Sequence, residues 1–180
     1  MSKPEPWQKA EVPGPMKALV ISKPEAVVAM IKSAKRPLFI VGPESAEREI
    51  AGEKEIDQLI QIAKAGKIPI VATSRAVIDF TRRNYDPALW MPAVDIANRL
   101  RDPKWMGVKG EGQHDLALFA GMQYYVEWLL LSGLKHFGDV RTVSFGRFYQ
   151  PHANWSFPNL DEKEWEQNLR AVRNGFGRVK

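Results

Sequence analysis

The chain has 180 residues, of which 44% are hydrophobic and 26% are charged, and this composition is typical of one folded domain with its own hydrophobic core. Lys and Arg total 26 against 21 Asp and Glu, but the basic residues are scattered along the chain, which argues against a nucleic-acid-binding surface. The chain contains no cysteine, so disulfides, thiolate zinc sites and the usual ligands of iron–sulfur clusters are excluded.

The amino-terminal segment is rich in proline, at Pro4, Pro6, Pro13 and Pro15. These residues disfavour a regular helix and favour extended backbone, so residues 1–16 are predicted to form an arm. Residues 17–180 are predicted to form a single α/β domain. No apolar run typical of a signal peptide is visible, and no stretch reaches the roughly 18 apolar residues of a membrane span. We therefore expect a cytoplasmic protein that does not contact a membrane.

Helices and short apolar runs alternate through the first half of the domain. Residues 38–41 are apolar at four consecutive positions and end at a Gly-Pro pair, as expected for a strand buried on both faces of a parallel sheet. Residues 67–74 repeat this pattern and predict a second strand. Hydrophobic residues at helical spacing predict helices over residues 24–34 and 47–65.

The same alternation continues in the second half of the domain. Apolar runs predict strands over residues 115–121 and 140–145, and residues 105–108 predict a weaker strand. Helices are predicted over residues 76–82, 92–100, 123–134 and 161–172. Short apolar strands that alternate with helices indicate a parallel sheet joined by right-handed crossovers. The predicted fold class is therefore α/β, a three-layer Rossmann-like parallel sheet with helices on both faces.

The carboxyl ends of the predicted strands are the first place to look for a ligand, because open parallel sheets bind ligands there. Six candidate cofactor-binding residues follow three of the strands: Gly42, Pro43, Thr73, Ser74, Gly121 and Met122. The glycine fingerprint of dinucleotide-binding proteins is absent, since Pro43 lacks an N–H group and Glu44 would repel a phosphate. A structural Gly-Pro turn is the favoured interpretation, and a nucleotide- or flavin-sized crevice is the alternative.

Residues that commonly hold metals or carry catalysis are dispersed along the chain. His114, His136 and His152 fall in three separate segments, and no two are spaced to bind a metal from one helix. Acidic pairs such as Glu53 and Glu55 are interpreted as solvated charges on a polar helix face. No metal site and no catalytic residue is predicted.

Two segments indicate contact with another protein rather than a reaction. Residues 124–134 are apolar nearly all the way round, whereas a helix on one face of a sheet needs a single apolar stripe. Tyr124, Trp128 and Leu131 are predicted to lie against a second chain, either another copy or a different subunit. Residues 145–158 carry five aromatics, which either anchor an interface or fold back onto the domain's own core.

Three motifs resemble a known family. They are Ala-Lys-Arg-Pro-Leu-Phe-Ile-Val-Gly-Pro at 34–43, Gly-Lys-Ile-Pro-Ile-Val-Ala-Thr at 66–73 and Tyr-Gln-Pro-His-Ala-Asn-Trp-Ser-Phe-Pro-Asn at 149–159. By these motifs the chain resembles the epsilon subunits of the archaeal carbon monoxide dehydrogenase component of the acetyl-CoA decarbonylase/synthase complex. The resemblance extends over nearly the whole chain. The first two motifs are also similar to the middle domain of thiamine-diphosphate enzymes, and the third is the most specific.

The resemblance implies a subunit that is not catalytic alone and that stabilises a larger carbon monoxide dehydrogenase alpha subunit, in an assembly of two alpha and two epsilon chains. The nickel–iron–sulfur chemistry of carbon monoxide oxidation would belong to alpha, in agreement with the absence of cysteine here. The family is also similar in fold to flavin- and nucleotide-binding domains. An alternative function is therefore a module that binds FAD and helps electrons from carbon monoxide oxidation reach it.

Overall fold

The structure, a computed structural model, describes residues 16–177. In chain order its elements are β1 (Leu19–Val20), α1 (Glu25–Ser33), β2 (Pro37–Val41), α2 (Glu44–Glu47), β3 (Glu49–Ile50), β4 (Glu53–Lys54), α3 (Glu55–Gly66), β5 (Ile70–Thr73), α4 (Ala76–Thr81), β6 (Leu89–Met91), α5 (Ala93–Arg101), β7 (Leu116–Ala120), α6 (Tyr124–Phe137), β8 (Arg141–Ser144), β9 (Trp155–Ser156) and α7 (Glu162–Gly177).

A seven-stranded parallel sheet forms the centre of the molecule, with the strand order β1-β9-β8-β7-β2-β5-β6. The chain builds outward from β2 to β6 and then crosses to β7 on the other side of β2. The switch point of the sheet therefore lies between the carboxyl ends of β2 and β7. Helices pack on both faces, so the predicted three-layer α/β fold is confirmed.

Alternate residues of the central strands enter two separate apolar layers. In β2, Phe39 and Val41 pack in the layer that contains α1, α3 and α7, whereas Leu38 and Ile40 pack in the layer that contains α5 and α6. All four side chains are fully buried. Because both faces of the strand are covered, β2 is a continuous apolar run rather than an alternating one.

The three shortest strands of the sheet are absent from the predicted strands: β1 and β6 at its two edges, and β9 beside β1. The strand β1 is placed by distant backbone groups, since Ala18 N–H donates to Pro151 O (2.9 Å) and Ile21 N–H donates to Ser156 O (2.8 Å). Strands of two or three residues carry too little periodicity to be recognised from sequence. Their positions follow from pairing with a sheet that already exists.

The helix predicted over residues 47–65 is wrong in its first third. The strands β3 and β4 form a small antiparallel hairpin there, and α3 begins only at Glu55. Ala51 (φ 51°) and Gly52 (φ 82°) occupy its two-residue turn, and left-handed values at both positions suit the twist of a hairpin. Ile50 reaches the core from this hairpin. In the sequence, Ile50 therefore looks like one more apolar residue of the helix that follows it.

The weak strand predicted over residues 105–108 is wrong, because these residues form an irregular loop before β7. Gly107 has a left-handed φ of 73°, which interrupts an extended backbone. Val108 N–H donates to Nε2 of His114 (3.2 Å) rather than to a neighbouring strand. The loop thus closes on itself and does not join the sheet.

The proline-rich arm predicted over residues 1–16 lies outside the described residues, apart from Met16. The domain boundary at residue 17 therefore stays a prediction. Within residues 16–177, none of the helices combines the length and the apolar character that a membrane crossing requires.

Candidate functional site

A groove of about 320 Å³ opens at the carboxyl edge of the sheet, above the ends of β2 and β5. Four of the six candidate cofactor-binding residues line it: Pro43, Thr73, Ser74 and Met122. The remaining lining residues are Glu44, Glu47, Arg75, Ala93, Gln123 and Val126. The loops after three parallel strands therefore meet at this edge, and the volume is at the lower end of the range for ligand pockets.

Gly42 and Gly121, the other two candidate residues, hold the loops after β2 and β7 against each other. A Cβ atom on Gly42 would lie 2.4 Å from the carbonyl oxygen of Gly121, and a Cβ on Gly121 would lie 2.6 Å from Cβ of Ser45. Both positions therefore require glycine for a close approach of backbone to backbone. Open parallel sheets often leave a ligand crevice at the switch point, but here the two loops fill it.

Backbone donors in the loop after β2 are already used within the chain. Gly42 N–H donates to Ala120 O (2.8 Å), and Glu44 N–H donates to Gly121 O (2.9 Å). Pro43, which lies between them, has no N–H group. A diphosphate at such an edge is normally held by free N–H groups at the start of a helix. These three positions offer none.

The charges at the groove also disfavour an anionic ligand. Glu44 pairs with Arg48, and Glu47 pairs with Arg75, so carboxylates already neutralise both guanidinium groups. The hydroxyl of Thr73 donates to the backbone of β2 (3.3 Å) and is not directed at a ligand. The loop after β2 and these two arginines therefore offer no free donor or unpaired cation for the diphosphate of a nucleotide or of FAD.

A buried carboxylate, Glu127, lies in the first turn of α6. Its Oε1 accepts a hydrogen bond from Oγ of Ser144 (2.6 Å) at the end of β8. Burial raises the pKa of Glu127 to about 7, because desolvation disfavours the charged form and the hydrogen bond from Ser144 offsets only part of that effect. The protonated and ionised forms of this side chain are therefore both populated at neutral pH.

A second buried carboxylate, Glu55, begins α3. Its Oε1 accepts a hydrogen bond from Nε1 of Trp165 (2.9 Å), and its Oε2 lies 3.5 Å from Nη1 of Arg48. Burial raises the pKa of Glu55, and the contacts with Arg48 and Trp165 oppose this shift. The interpretation of Glu55 as a solvated charge is wrong, because the hairpin turns it into the core, while Glu53 is exposed.

The three histidines lie in different environments. His114 is buried under the loop before β7, His136 is exposed near the end of α6, and the ring of His152 packs on Trp128 with centroids 4.7 Å apart. Among residues 16–177, no three His, Asp or Glu side chains stand close enough together to hold a metal ion.

An apolar groove of about 240 Å³ runs between α5 and α6 on the outer surface. Val94 on α5 and Leu129 on α6 both line it, and each is 59% exposed. Tyr125, four residues before Leu129 and on the same side of α6, is 63% exposed. We call the groove with these three residues the α5–α6 face. Contiguous exposed apolar surface of this kind is typical of interaction sites.

The helix predicted over residues 123–134 is confirmed, but its exposed side differs from the prediction. Four residues face the sheet at spacings of three and four: Glu127, Leu130, Leu131 and Leu134. Leu131 is fully buried, so its predicted contact with a second chain is wrong. Trp128 is half-buried, Tyr124 is 41% exposed, and Leu129 points outward. The reason is the phase of the helix, which its packing on the sheet decides.

Most of the aromatic segment at residues 145–158 folds back onto the domain's own core. Phe145, Tyr149 and Phe157 are each at most 1% exposed. Phe145 and Phe157 both pack edge-on against Trp165, with ring centroids 5.3 Å apart. Of the two alternatives for this segment, the core interpretation is therefore right for these three residues.

Comparison with known proteins decides the family. The family model described as CO dehydrogenase beta subunit/acetyl-CoA synthase epsilon subunit matches residues 1–173. The chain belongs to this family. Its resemblance to the epsilon subunits, inferred from three motifs, is confirmed.

Similar epsilon-subunit sequences come from several archaea. The acetyl-CoA decarbonylase/synthase complex subunit epsilon of Methanothermobacter thermautotrophicus is 37% identical over 171 residues, which cover 93% of each chain. The same subunit of Methanothrix soehngenii is 36% identical over 159 residues, covering 87% of this chain and 82% of the relative. Subunit epsilon 1 of Methanosarcina barkeri is 34% identical over 153 residues, covering 85% and 86%.

In this member of the epsilon-subunit family, the most specific motif, residues 149–159, has a structural role. Oδ1 of Asn154 accepts hydrogen bonds from the backbone N–H (2.7 Å) and the hydroxyl (3.1 Å) of Thr142 in β8. The hydroxyl of Tyr149 donates to Ala18 O (2.7 Å), next to β1. The motif therefore joins β8, β9 and β1 at one edge of the sheet, and the side chains of Asn154 and Tyr149 each bond to a backbone group there.

The two buried carboxylates were absent from the candidate residues. Glu127 precedes Leu131 by four residues and Leu134 by seven, so a helical wheel places it on the buried stripe of α6. That spacing could have identified Glu127 as a buried carboxylate. No comparable signal exists for Glu55, because its burial depends on the hairpin before α3.

Proposed function

We propose that this chain is the accessory, non-catalytic epsilon subunit of the carbon monoxide dehydrogenase component of an acetyl-CoA decarbonylase/synthase complex, and that it stabilises the larger alpha subunit. The observation that carries the proposal is the α5–α6 face, which leaves Val94, Tyr125 and Leu129 exposed to water. The relatives are named as subunits of such a complex, which supports a partner for this face. Two alpha and two epsilon chains form the proposed assembly.

The α5–α6 face has the anatomy of an interface. Its centre is apolar, and Asn98 and Arg101 supply a polar rim on the α5 side of the groove. Interfaces generally combine an apolar centre with a polar, solvated rim. Gly133 leaves space in the groove, since a Cβ atom there would meet nothing within 4 Å. A side chain from the alpha subunit would be buried between Leu129 and Val94.

Redox chemistry belongs to the partner in this proposal, because the chain has no cysteine to hold a nickel–iron–sulfur centre. The contribution of the small subunit is binding energy. A subunit that binds the folded state of its partner raises the stability of that state by mass action. We therefore expect the alpha subunit to survive heating longer when this chain is present.

The experiment compares Leu129→Asp with Ile78→Asp, in sedimentation and thermal-inactivation assays with the alpha subunit. Ile78 on α4 is 53% exposed and lies outside the α5–α6 face, so it is a matched control. Burying an unpaired carboxylate costs several kcal/mol, so Leu129→Asp should weaken the complex at least about tenfold. Ile78→Asp should bind alpha like the unmodified chain. Circular dichroism checks that both variants fold.

Equal binding of alpha by both variants would contradict the proposed face. The same assay addresses a second copy as the occupant, because sedimentation of the chain without alpha reports its own association. Self-association that Leu129→Asp abolishes, together with no binding to alpha, would assign the face to a homodimer and overturn the proposal.

A further inference from the structure

A basic pocket of about 130 Å³ lies at the amino edge of the sheet, near the starts of β2 and β5. Its ionisable lining residues are Lys35, Arg36, Lys67, Lys109, Glu111 and His114. These are four cations and one carboxylate beside a histidine, so the pocket has a net charge of +3 when the histidine is neutral. This edge is opposite the groove described above, and the accessory-subunit proposal does not use it.

The four cations of the pocket form no salt bridge within the part of the chain that the structure describes. Seven other arginines each pair with a carboxylate. Asp115 is close in sequence but does not neutralise the pocket. Its carboxylate accepts the backbone N–H groups of Lys35 (3.0 Å) and Arg36 (2.7 Å) and pairs with Arg141 (3.3 Å). Glu111 is therefore the one carboxylate in the lining that opposes the positive charge of the pocket.

The guanidinium group of Arg36 is held in place from two sides. Its Nε donates to Gln113 O (2.7 Å), which fixes the orientation of the group. Gly112, with φ 111°, packs beneath it, and a Cβ atom there would lie 3.3 Å from Cζ of Arg36. Within residues 16–177, the two Nη groups have no hydrogen-bond partner. Arg36 is thus half-buried, oriented and still able to donate.

His114 holds the loop over the pocket in its neutral form. Val108 N–H donates to Nε2 (3.2 Å), so the ring proton is on Nδ1, which lies 2.9 Å from Arg36 O. Burial is the largest influence and lowers the pKa of His114. The histidine therefore joins two backbone segments, and it does not add to the charge of the pocket.

We propose that this pocket binds a phosphate group, either free or as the ester of a small molecule. An arginine fork and ammonium groups are the usual partners of phosphate oxygens, and a net charge of +3 favours a dianion over a single carboxylate. The volume suits one such group, because pockets for whole drug-sized ligands are about 300–1,000 Å³. Glu111 is the opposing charge at the rim, so its removal should strengthen binding.

Isothermal titration of the full chain with inorganic phosphate, glycerol 3-phosphate and acetate tests the proposal. Both phosphates should bind at least about tenfold more tightly than acetate, and higher salt should weaken them. Arg36→Gln should weaken phosphate binding about tenfold or more, and Glu111→Gln should strengthen it a few-fold. The control is Arg82→Gln, since Arg82 is an exposed arginine that pairs with Asp79 and lies outside the pocket. It should bind like the unmodified chain.

Because Arg36 also contacts the loop backbone, a second variant guards against misfolding. The Lys35→Gln, Lys109→Gln double substitution changes two exposed side chains and keeps the backbone hydrogen bonds, and it should weaken phosphate binding as well. Tighter binding of the ester would assign the pocket to an organic phosphate, and equal binding to the free ion. No saturation by phosphate at about 10 mM, or equal binding by the double variant and the unmodified chain, would overturn the proposal.

Discussion

The two helical layers use their apolar residues differently. In the layer of α1, α3 and α7, the largest side chains are buried in the core. Trp165 is 1% exposed and packs between Phe145 and Phe157. In the layer of α5 and α6, Leu131 is fully buried, but Leu129, two residues away on the same helix, is 59% exposed. The first layer therefore buries its largest side chains in the core, while the second leaves the apolar side chain of Leu129 exposed, where association is proposed.

The largest expected effect is on the first layer. Trp165→Ala removes the centre of the aromatic cluster and the donor to buried Glu55, so it should lower the free energy of unfolding by about 3–5 kcal/mol. Urea denaturation followed by circular dichroism measures this loss. Trp165→Phe is the control that keeps most of the packing, and it should lose less. A loss below about 1 kcal/mol for Trp165→Ala would remove the distinction between the layers.

The second prediction compares neighbours on α6. Leu131→Ala should cost about 2–5 kcal/mol, because a buried methyl-rich side chain leaves a cavity. Leu129→Ala should change the stability of the isolated chain by no more than about 0.5 kcal/mol, because its side chain is mostly solvated. Parallel urea titrations give both values. Similar losses for the two variants would show that the exposed side of α6 also stabilises the domain.

The third prediction concerns pH and Glu127, under the same helix. Its pKa is about 7 in the folded chain and near 4.5 when unfolded, so the folded state binds the proton more tightly. Its stabilising contribution is complete below about pH 4.5 and is lost as the pH rises to about 7, a decrease of about 3 kcal/mol.

Glu127→Gln should remove that decrease, since the amide oxygen still accepts from Ser144 and does not titrate. Free energies of unfolding from pH 4 to 8 are compared for the two chains. An unchanged pH slope in the variant would mean that another group, such as buried Glu55, dominates this range.

The smallest expected effect is at the groove beside the start of α6. FAD titrated into the purified chain should show no saturable change in its visible spectrum, because Gly42 and Glu44 donate internally and carboxylates flank the groove. The unmodified chain and a Gln123→Ala variant are measured together. A perturbed flavin band that saturates at micromolar concentration would support the alternative function and would require the loop at Gly42 to open.

The central strands of the fold follow from sequence because each is a local apolar run covered on both faces. Residues 38–41 and 115–121 are examples. The edge strand β6 is not predicted, because residues 88–91 are only a short apolar run and the pairing with β5 makes Leu89–Met91 a strand. The hairpin before α3 is not predicted because alanine rarely indicates a turn, yet Ala51 takes a left-handed φ there.

The site is predicted less well because it depends on which segments meet. Parallel strands bring Thr73 and Met122 to one edge, so that juxtaposition follows from the fold alone. The opposite is true of the basic pocket, where Arg36, Lys67 and Lys109 come from three distant segments and look like scattered charges in the sequence. Which side of α6 is exposed depends on how the helix is rotated against the sheet. Periodicity alone does not define this rotation when nearly every position is apolar.

The attachment of β1 has a consequence for synthesis of the chain. The hydroxyl of Tyr149 and the carbonyl of Ala18 belong to residues 131 positions apart, and within residues 16–177 the strand β1 pairs with β9 alone. Among the strands that the structure describes, β1 comes first in the chain but cannot pair until β9, the last of them, has been synthesised. Until then, the strands β2, β5, β6, β7 and β8 can pair with one another, and one backbone edge of β8 lacks its partner strand β9.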